Sequence, residues 1–258
     1  MKKYLYILIA LGFHSVGHGK IKTETLEYKE GTTVLEGYVA YDDALKGKRP
    51  GIVIVHNWMG LSDGTKKRAQ DLAKIGYVAF AADIYGKGVR ASNPDEAGKL
   101  ATQYKTNRPM MRARAMAALE ALKKLPQVDT NKLNAMGYCF GGTVALEMAM
   151  SGAPLNGVVS FHGGLDFPAT LADVKNIKSK LMILHGAIDP YVPAEQVNTY
   201  TKALNDSNID YQFIAYSGAV HAFTEEAAGN DIKKGAAYNK AADLRSFGAM
   251  KAFLAEVN

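Results

Sequence analysis

The chain's single cysteine stands in Gly137-Tyr138-Cys139-Phe140-Gly141-Gly142, and this segment holds the residues best suited to covalent chemistry. It has the form of a nucleophile elbow, G-x-S-x-G, with sulfur in place of the hydroxyl. A strained turn of this kind lifts its central side chain above a sheet edge. The flanking glycines leave room where a β-carbon would collide with neighbouring backbone. A helix beginning at the elbow favours negative charge on the sulfur, and the thiolate is the nucleophilic form. The nucleophile then needs a base, and the base an orienting acid. His185-Gly186-Ala187-Ile188-Asp189-Pro190 supplies Asp189, and Ser217-Gly218-Ala219-Val220-His221 supplies His221. Each residue alone has an ordinary reading: a buried cysteine is usually inert, Asp189 can cap a following helix, and His221 can be a surface imidazole. Together, in the order nucleophile, acid, base, they point to acyl transfer.

Such residues must be carried to one place by the elements between them. Thr23 to Tyr28 and Val34 to Tyr41 alternate apolar with polar residues around Glu30-Gly31, predicting an antiparallel N-terminal hairpin. Fully apolar runs follow at 51–55, 77–82, 132–137, 157–161, 180–185 and 211–216. Helical stretches are predicted at about 62–75, 110–124, 142–150 and 194–205, with a last one ending near Leu254. Strands this apolar are buried on both faces, which predicts an α/β fold with a mostly parallel central sheet and helices on both faces. Ligands of such sheets sit beyond the carboxyl ends of the strands, where Cys139, Asp189 and His221 all fall. Ile84 to Arg108 is one long connection, read as a solvated loop in preference to an active-site flap.

At 258 residues, with 48% hydrophobic and 22% charged side chains, the chain has an ample core. A single domain over 20–258 is the default. The formal charge of +6 is interleaved with acidic residues and includes no long basic run, which argues against a nucleic-acid partner. Met1-Lys2-Lys3 followed by an apolar run from Tyr4 to Phe13 reads as a signal peptide occupying about 1–19, cut near Gly17 to Gly19. The expected location is therefore periplasmic or secreted, without stable membrane association once the leader is removed, and cytoplasmic if it is not processed. A membrane anchor is disfavoured because the run falls short of the roughly 20 residues a span requires. One cysteine allows no internal disulfide. The glycines at the elbow do not fit the G-x-G-x-x-G of dinucleotide binding, and no histidines share ligand spacing, so neither a cofactor nor a metal is expected.

The sequence resembles the dienelactone hydrolase family of α/β-hydrolases over roughly Gly51 to His221. The resemblance rests on the elbow, on His185-Gly186-x-x-Asp189, on Gly218-x-x-His221-x-Phe223 and on the Asp83-x-Tyr85 turn. It implies the α/β-hydrolase fold and hydrolysis of a small ester or lactone, with Cys139 as nucleophile, His221 as base and Asp189 as its orienter. It further implies an oxyanion hole of backbone amides, those of Phe140 and of Trp58. Residues expected to contact substrate are Asn57, Tyr85, Lys87 and His162, although a packing role for His162 is the stronger reading. The family's glutamate after the first parallel strand is replaced by Asn57, and its substrate-binding arginines by Lys87 and Glu225, with Arg90 a possible substitute. Glu225 would repel an anionic substrate. Two other readings stay open: a thioesterase or acyltransferase with the same triad, and an inactive homologue that binds a ligand. The oligomeric state is not legible.

Overall fold

The computed structural model describes residues 19–167 and 170–258. Most of the segment read as a signal peptide lies outside the described residues. The chain opens with β1 (Ile21–Glu30) and β2 (Thr33–Asp42), paired antiparallel from Ile21↔Asp42 to Glu30↔Thr33. There follow β3 (Arg49–Val55), α1 (Asp63–Ala73), β4 (Val78–Ala82), α2 (Pro94–Lys105) and α3 (Arg108–Lys123). The second half runs β5 (Val128–Tyr138), α4 (Phe140–Met150), β6 (Gly157–Phe161), β7 (Lys180–Gly186), α5 (Ala194–Asp206), β8 (Tyr211–Tyr216) and α6 (Lys240–Val257).

Among the described residues, the eight strands form one sheet in the order β1-β2-β4-β3-β5-β6-β7-β8. Strands β3 to β8 pair in parallel, and β2 joins β4 antiparallel. This is the α/β-hydrolase arrangement. Alternate residues of a strand point to opposite faces, and β3 shows the result: Val53 and Val55 join one apolar cluster while Ile52 and Ile54 join the other. The first cluster is completed by α2, α3, α4 and α5 through Tyr104, Leu119, Val144 and Tyr200. The second is completed by α1 and α6 through Leu72 and Met250. Burying each such large side chain stabilises the fold by about 1.5–3 kcal/mol, which holds the strand ends in fixed register.

The connection after β4 is not a loop throughout, because it contains α2. The signals for that helix were local. Asn93 caps it by accepting from the Glu96 N–H, Pro94 stands in its first turn, and Asp95 and Glu96 match its dipole. Its buried face is Ala97, Ala101 and Tyr104, a four-then-three spacing that small alanines make faint.

Candidate active site

Strand β5 delivers Cys139 to the elbow and α4 begins one residue later, with Cys139 in the N-cap position. Its φ of 54° and ψ of −116° are rare for a residue with a side chain, at a cost of about 1–3 kcal/mol. The surrounding packing holds that turn. A β-carbon on Gly137 would overlap the Gly141 carbonyl, and one on Gly141 would overlap the Val55 carbonyl of β3. The Cys139 N–H is shared between the Phe161 carbonyl at 3.0 Å and His162 Nδ1 at 3.1 Å.

The structure brings the three expected side chains together. His221 Nε2 lies 3.0 Å from Cys139 Sγ, and its Nδ1 lies 2.8 Å from Asp189 Oδ2. Asp189 is buried, and its other carboxylate oxygen accepts from the Tyr191 N–H at 2.9 Å. Burial alone would lower the His221 pKa, but the Cys139 sulfur beside Nε2 and the Asp189 carboxylate on Nδ1 outweigh it and raise the value to about 10. The ring is therefore disposed to carry a proton between the sulfur and the carboxylate. It is also fixed edge-on between His162 and Tyr191, whose ring centroids lie 5.2 Å and 5.4 Å away. Tyr191 escaped the sequence reading, and nothing but its place two residues after Asp189 pointed to it.

The turn after β3 is built by a second histidine. His56 is fully buried, accepts the Ile84 N–H on Nε2 at 3.2 Å, and so donates from Nδ1 to the Asn57 carbonyl at 2.6 Å. Its pKa is lowered to about 4, chiefly by burial, so this imidazole stays neutral. Asn57 folds the turn further, since its Oδ1 accepts the Met59 N–H at 3.0 Å. The Trp58 N–H has no acceptor among the described residues, and the Phe140 N–H, at the first position of α4, has no intrahelical partner. Both expected oxyanion donors are free for a ligand oxygen.

Three residues expected to touch substrate are engaged by other groups of the protein. His162 is fully buried with both ring nitrogens engaged: Nδ1 accepts from Cys139, so Nε2 carries hydrogen and donates to Thr224 Oγ1 at 2.8 Å. It cannot line the pocket. Its pKa lies well below the ordinary histidine value, through burial and the nearby His221, which matches a neutral ring in this role. Tyr85 is buried against His56 and Phe140 and donates to the Trp58 carbonyl at 3.0 Å, so it holds the turn after β3. Asp83 in turn accepts the Tyr85 and Gly86 N–H groups on Oδ1. Lys87 is exposed and pairs with Glu27 on β1, away from the trio. Arg90 does not substitute as a free cation: its Nε donates to the Leu61 carbonyl at 2.8 Å and its guanidinium lies 3.6 Å from Asp83.

Asn57 and Glu225 were read separately, yet they touch: Asn57 Nδ2 donates to Glu225 Oε2 at 2.8 Å. Burial raises the Glu225 pKa, opposed by the Asn57 hydrogen bond and by the charge of His221. Among the described residues no group of three or more His, Cys, Asp or Glu side chains is arranged to hold a metal ion.

A cysteine in an elbow turn at the carboxyl edge of a mostly parallel sheet, touching a histidine and an aspartate on the loops after β8 and β7, defines an α/β-hydrolase. Within that class the chain belongs to the dienelactone hydrolase family, whose profile matches residues 35–258. It is 31% identical over 208 residues to Protein usf of Aquifex pyrophilus, covering 79% of this chain and 87% of that protein. It is similar to the crystal structure of a dienelactone hydrolase-like promiscuous phosphotriesterase from metagenomic libraries, with 36% identity, a TM-score of 0.88, and coverage of 93% of this chain and 99% of that one. The dienelactone hydrolase of Anabaena variabilis, at 18% identity and a TM-score of 0.63 over 90% of this chain and 98% of its own, shares the fold.

Proposed function

We propose that this protein hydrolyses a small ester or lactone through a thioester on Cys139. The observation that carries the reading is the unbroken contact from Cys139 Sγ through His221 to Asp189, beside two unengaged amides. The thiolate attacks the carbonyl carbon, and the oxygen takes up negative charge against the Trp58 and Phe140 N–H groups. As the carbon–oxygen bond to the alcohol breaks, the His221 imidazolium gives the leaving oxygen its proton. Neutral His221 then takes a proton from water, the hydroxide attacks the thioester, and the carbon–sulfur bond breaks to release the acid. Asp189 holds the imidazole in the required tautomer throughout. The family's name and a relative from Bradyrhizobium, 27% identical and named a probable lactonase, support this substrate class.

The test is turnover of p-nitrophenyl acetate and a panel of small lactones by the wild type and by Cys139→Ala. The variant should lose about 10³-fold or more in kcat, and intact mass should find an acyl adduct on the wild type. Equal rates for the two proteins would end this reading. Because a similar structure is named as a phosphotriesterase, a phosphotriester belongs in the panel, as does a thioester to separate thioesterase activity. Export through the leader read at 1–19 is part of the same proposal, and the mass of the protein recovered from its native cells, with the leader retained or removed, decides it.

A further inference from the structure

The turn that carries the Trp58 N–H is closed by the side chain before it. Asn57 Oδ1 accepts the Met59 N–H at 3.0 Å, and the hydrogen-bonded ring so formed contains the Trp58 nitrogen and sets its direction. The Trp58 carbonyl is held separately by the Tyr85 hydroxyl at 3.0 Å. Closure depends on how the Asn57 amide is turned, because only its oxygen can accept an N–H. The other end of that amide is held too: Nδ2 donates to Glu225 Oε2 at 2.8 Å. Glu225 thus keeps the amide in the orientation that closes the turn.

Glu225 is itself anchored. The residue before it is gripped twice: His162 Nε2 donates to Thr224 Oγ1 at 2.8 Å, and Arg68 donates to the Thr224 carbonyl at 3.1 Å. The Glu225 N–H donates to the Ala222 carbonyl at 2.9 Å. Because His162 also accepts the Cys139 N–H, a path of contacts joins the elbow, the loop of the base and the turn after β3. The link asks only an accepting oxygen of Glu225, and a carboxyl group offers one whether ionised or protonated. The opposition between burial, which raises the Glu225 pKa, and the charges of His221 and Arg68, which lower it, therefore leaves the link in place.

We infer that Glu225 is a positioning residue for the oxyanion hole: through Asn57 it aims the Trp58 N–H at the place where the substrate oxygen takes up negative charge. The consequence for turnover rests on the hydrolase reading; the aiming of the N–H does not. Such a donor matters most while charge develops, so losing its support should slow the chemical steps without weakening substrate binding.

Glu225→Leu, which removes the acceptor, should lower kcat on p-nitrophenyl acetate by roughly tenfold to a hundredfold with KM little changed, less than the cost of deleting an oxyanion donor outright. Glu225→Gln keeps an accepting oxygen and should recover most of that loss. In an Asn57→Ala background, Glu225→Leu should cost nothing further, because it acts through Asn57.

Two probes of the sulfur separate aiming from thiol reactivity. 1,1,1-Trifluoroacetone adds reversibly to the thiolate and leaves a charged oxygen, and its affinity, read by fluorine NMR, should weaken in Glu225→Leu along with kcat/KM. Methyl methanethiolsulfonate passes a methylthio group to the sulfur and releases methanesulfinate, with no oxyanion formed. Wild type and Glu225→Leu should react with it at equal rates, followed by intact mass. If Glu225→Leu keeps its kcat, if Glu225→Gln loses as much as Glu225→Leu, if the losses add in the double variant, or if methylthiolation slows as kcat does, the inference is wrong and the hydrolase reading stands. If the wild type hydrolyses no ester, that reading falls and trifluoroacetone decides alone. Addition weakened in Glu225→Leu would uphold the positioning role, whereas equal affinity, or no addition to either protein, would overturn it.

Discussion

At the scale of single residues, the site depends on which of its histidines carries a proton. His56 and His162 are buried, have both nitrogens committed to neighbours, and are pushed towards neutrality. His221 alone faces a sulfur and a carboxylate, and its pKa is raised to about 10. A raised value means that the folded protein holds the proton more tightly than the unfolded chain does. The stabilisation is complete below the ordinary histidine value of about 6.5 and is lost as pH rises through about 10. On the proposed mechanism, alkaline loss of that proton would also remove the acid for the leaving oxygen, so kcat/KM should fall above about pH 10. Because the sulfur is the largest of the raising influences, Cys139→Ser should shift the His221 titration to lower pH, read by NMR of the labelled ring. An unchanged midpoint would mean that the sulfur does not hold the proton on His221. The meeting of Cys139, Asp189 and His221 was legible from residue type and order, because each follows the carboxyl end of a strand, directly after β5 or on the loops after β7 and β8. The Lys87 and Glu225 environments were not, since their partners Glu27 and Asn57 are distant in sequence and meet only through the sheet.

At the scale of elements, the end of β6 joins the elbow to the loop after β8. His162 takes the Cys139 N–H with one nitrogen and donates to Thr224 with the other, and its φ of 39° shows backbone strain accepted to make both contacts. No periodicity reports such a clamp, because its partners are 23 and 62 residues away. His162→Phe keeps a planar ring but loses both hydrogen bonds, leaving Thr224 Oγ1 unpaired. The loss should raise the barrier by about 1–3 kcal/mol, so kcat should fall roughly tenfold to a hundredfold, with KM little changed because the ring does not reach the pocket. A fall confined to KM would instead return His162 to the role of a substrate contact. The strands themselves were legible, since apolar runs buried on both faces admit few other readings. Boundaries were less so: α3 begins at Arg108, behind an Asn107 cap, where the apolar pattern predicts a start near Met110.

At the scale of the molecule, the elbow is only as rigid as α4, whose residues are all buried from Phe140 to Met150. That helix carries Glu147, a fully buried charge which apolar patterning had absorbed into a core segment. The structure surrounds it: Arg108 lies 3.3 Å away, Arg112 donates at 2.7 Å, and Thr170 donates at 2.7 Å. Arg112 also reaches Asp173 at 2.7 Å, so α3, α4 and the segment before β7 are tied at one point. Removing one member of a buried ionic group is costlier than removing an exposed pair, because the remaining charges lose their partner without regaining water. Glu147→Ala should therefore destabilise the fold by about 3–5 kcal/mol, measured as a fall in the urea midpoint at unchanged slope. Lys202→Ala, which breaks an exposed pair with Asp206 on α5, should leave the midpoint near that of the wild type. Equal small shifts in both variants would show that the arginines find other partners. The two-faced core would then suffice to hold α4, and with it the elbow, in place.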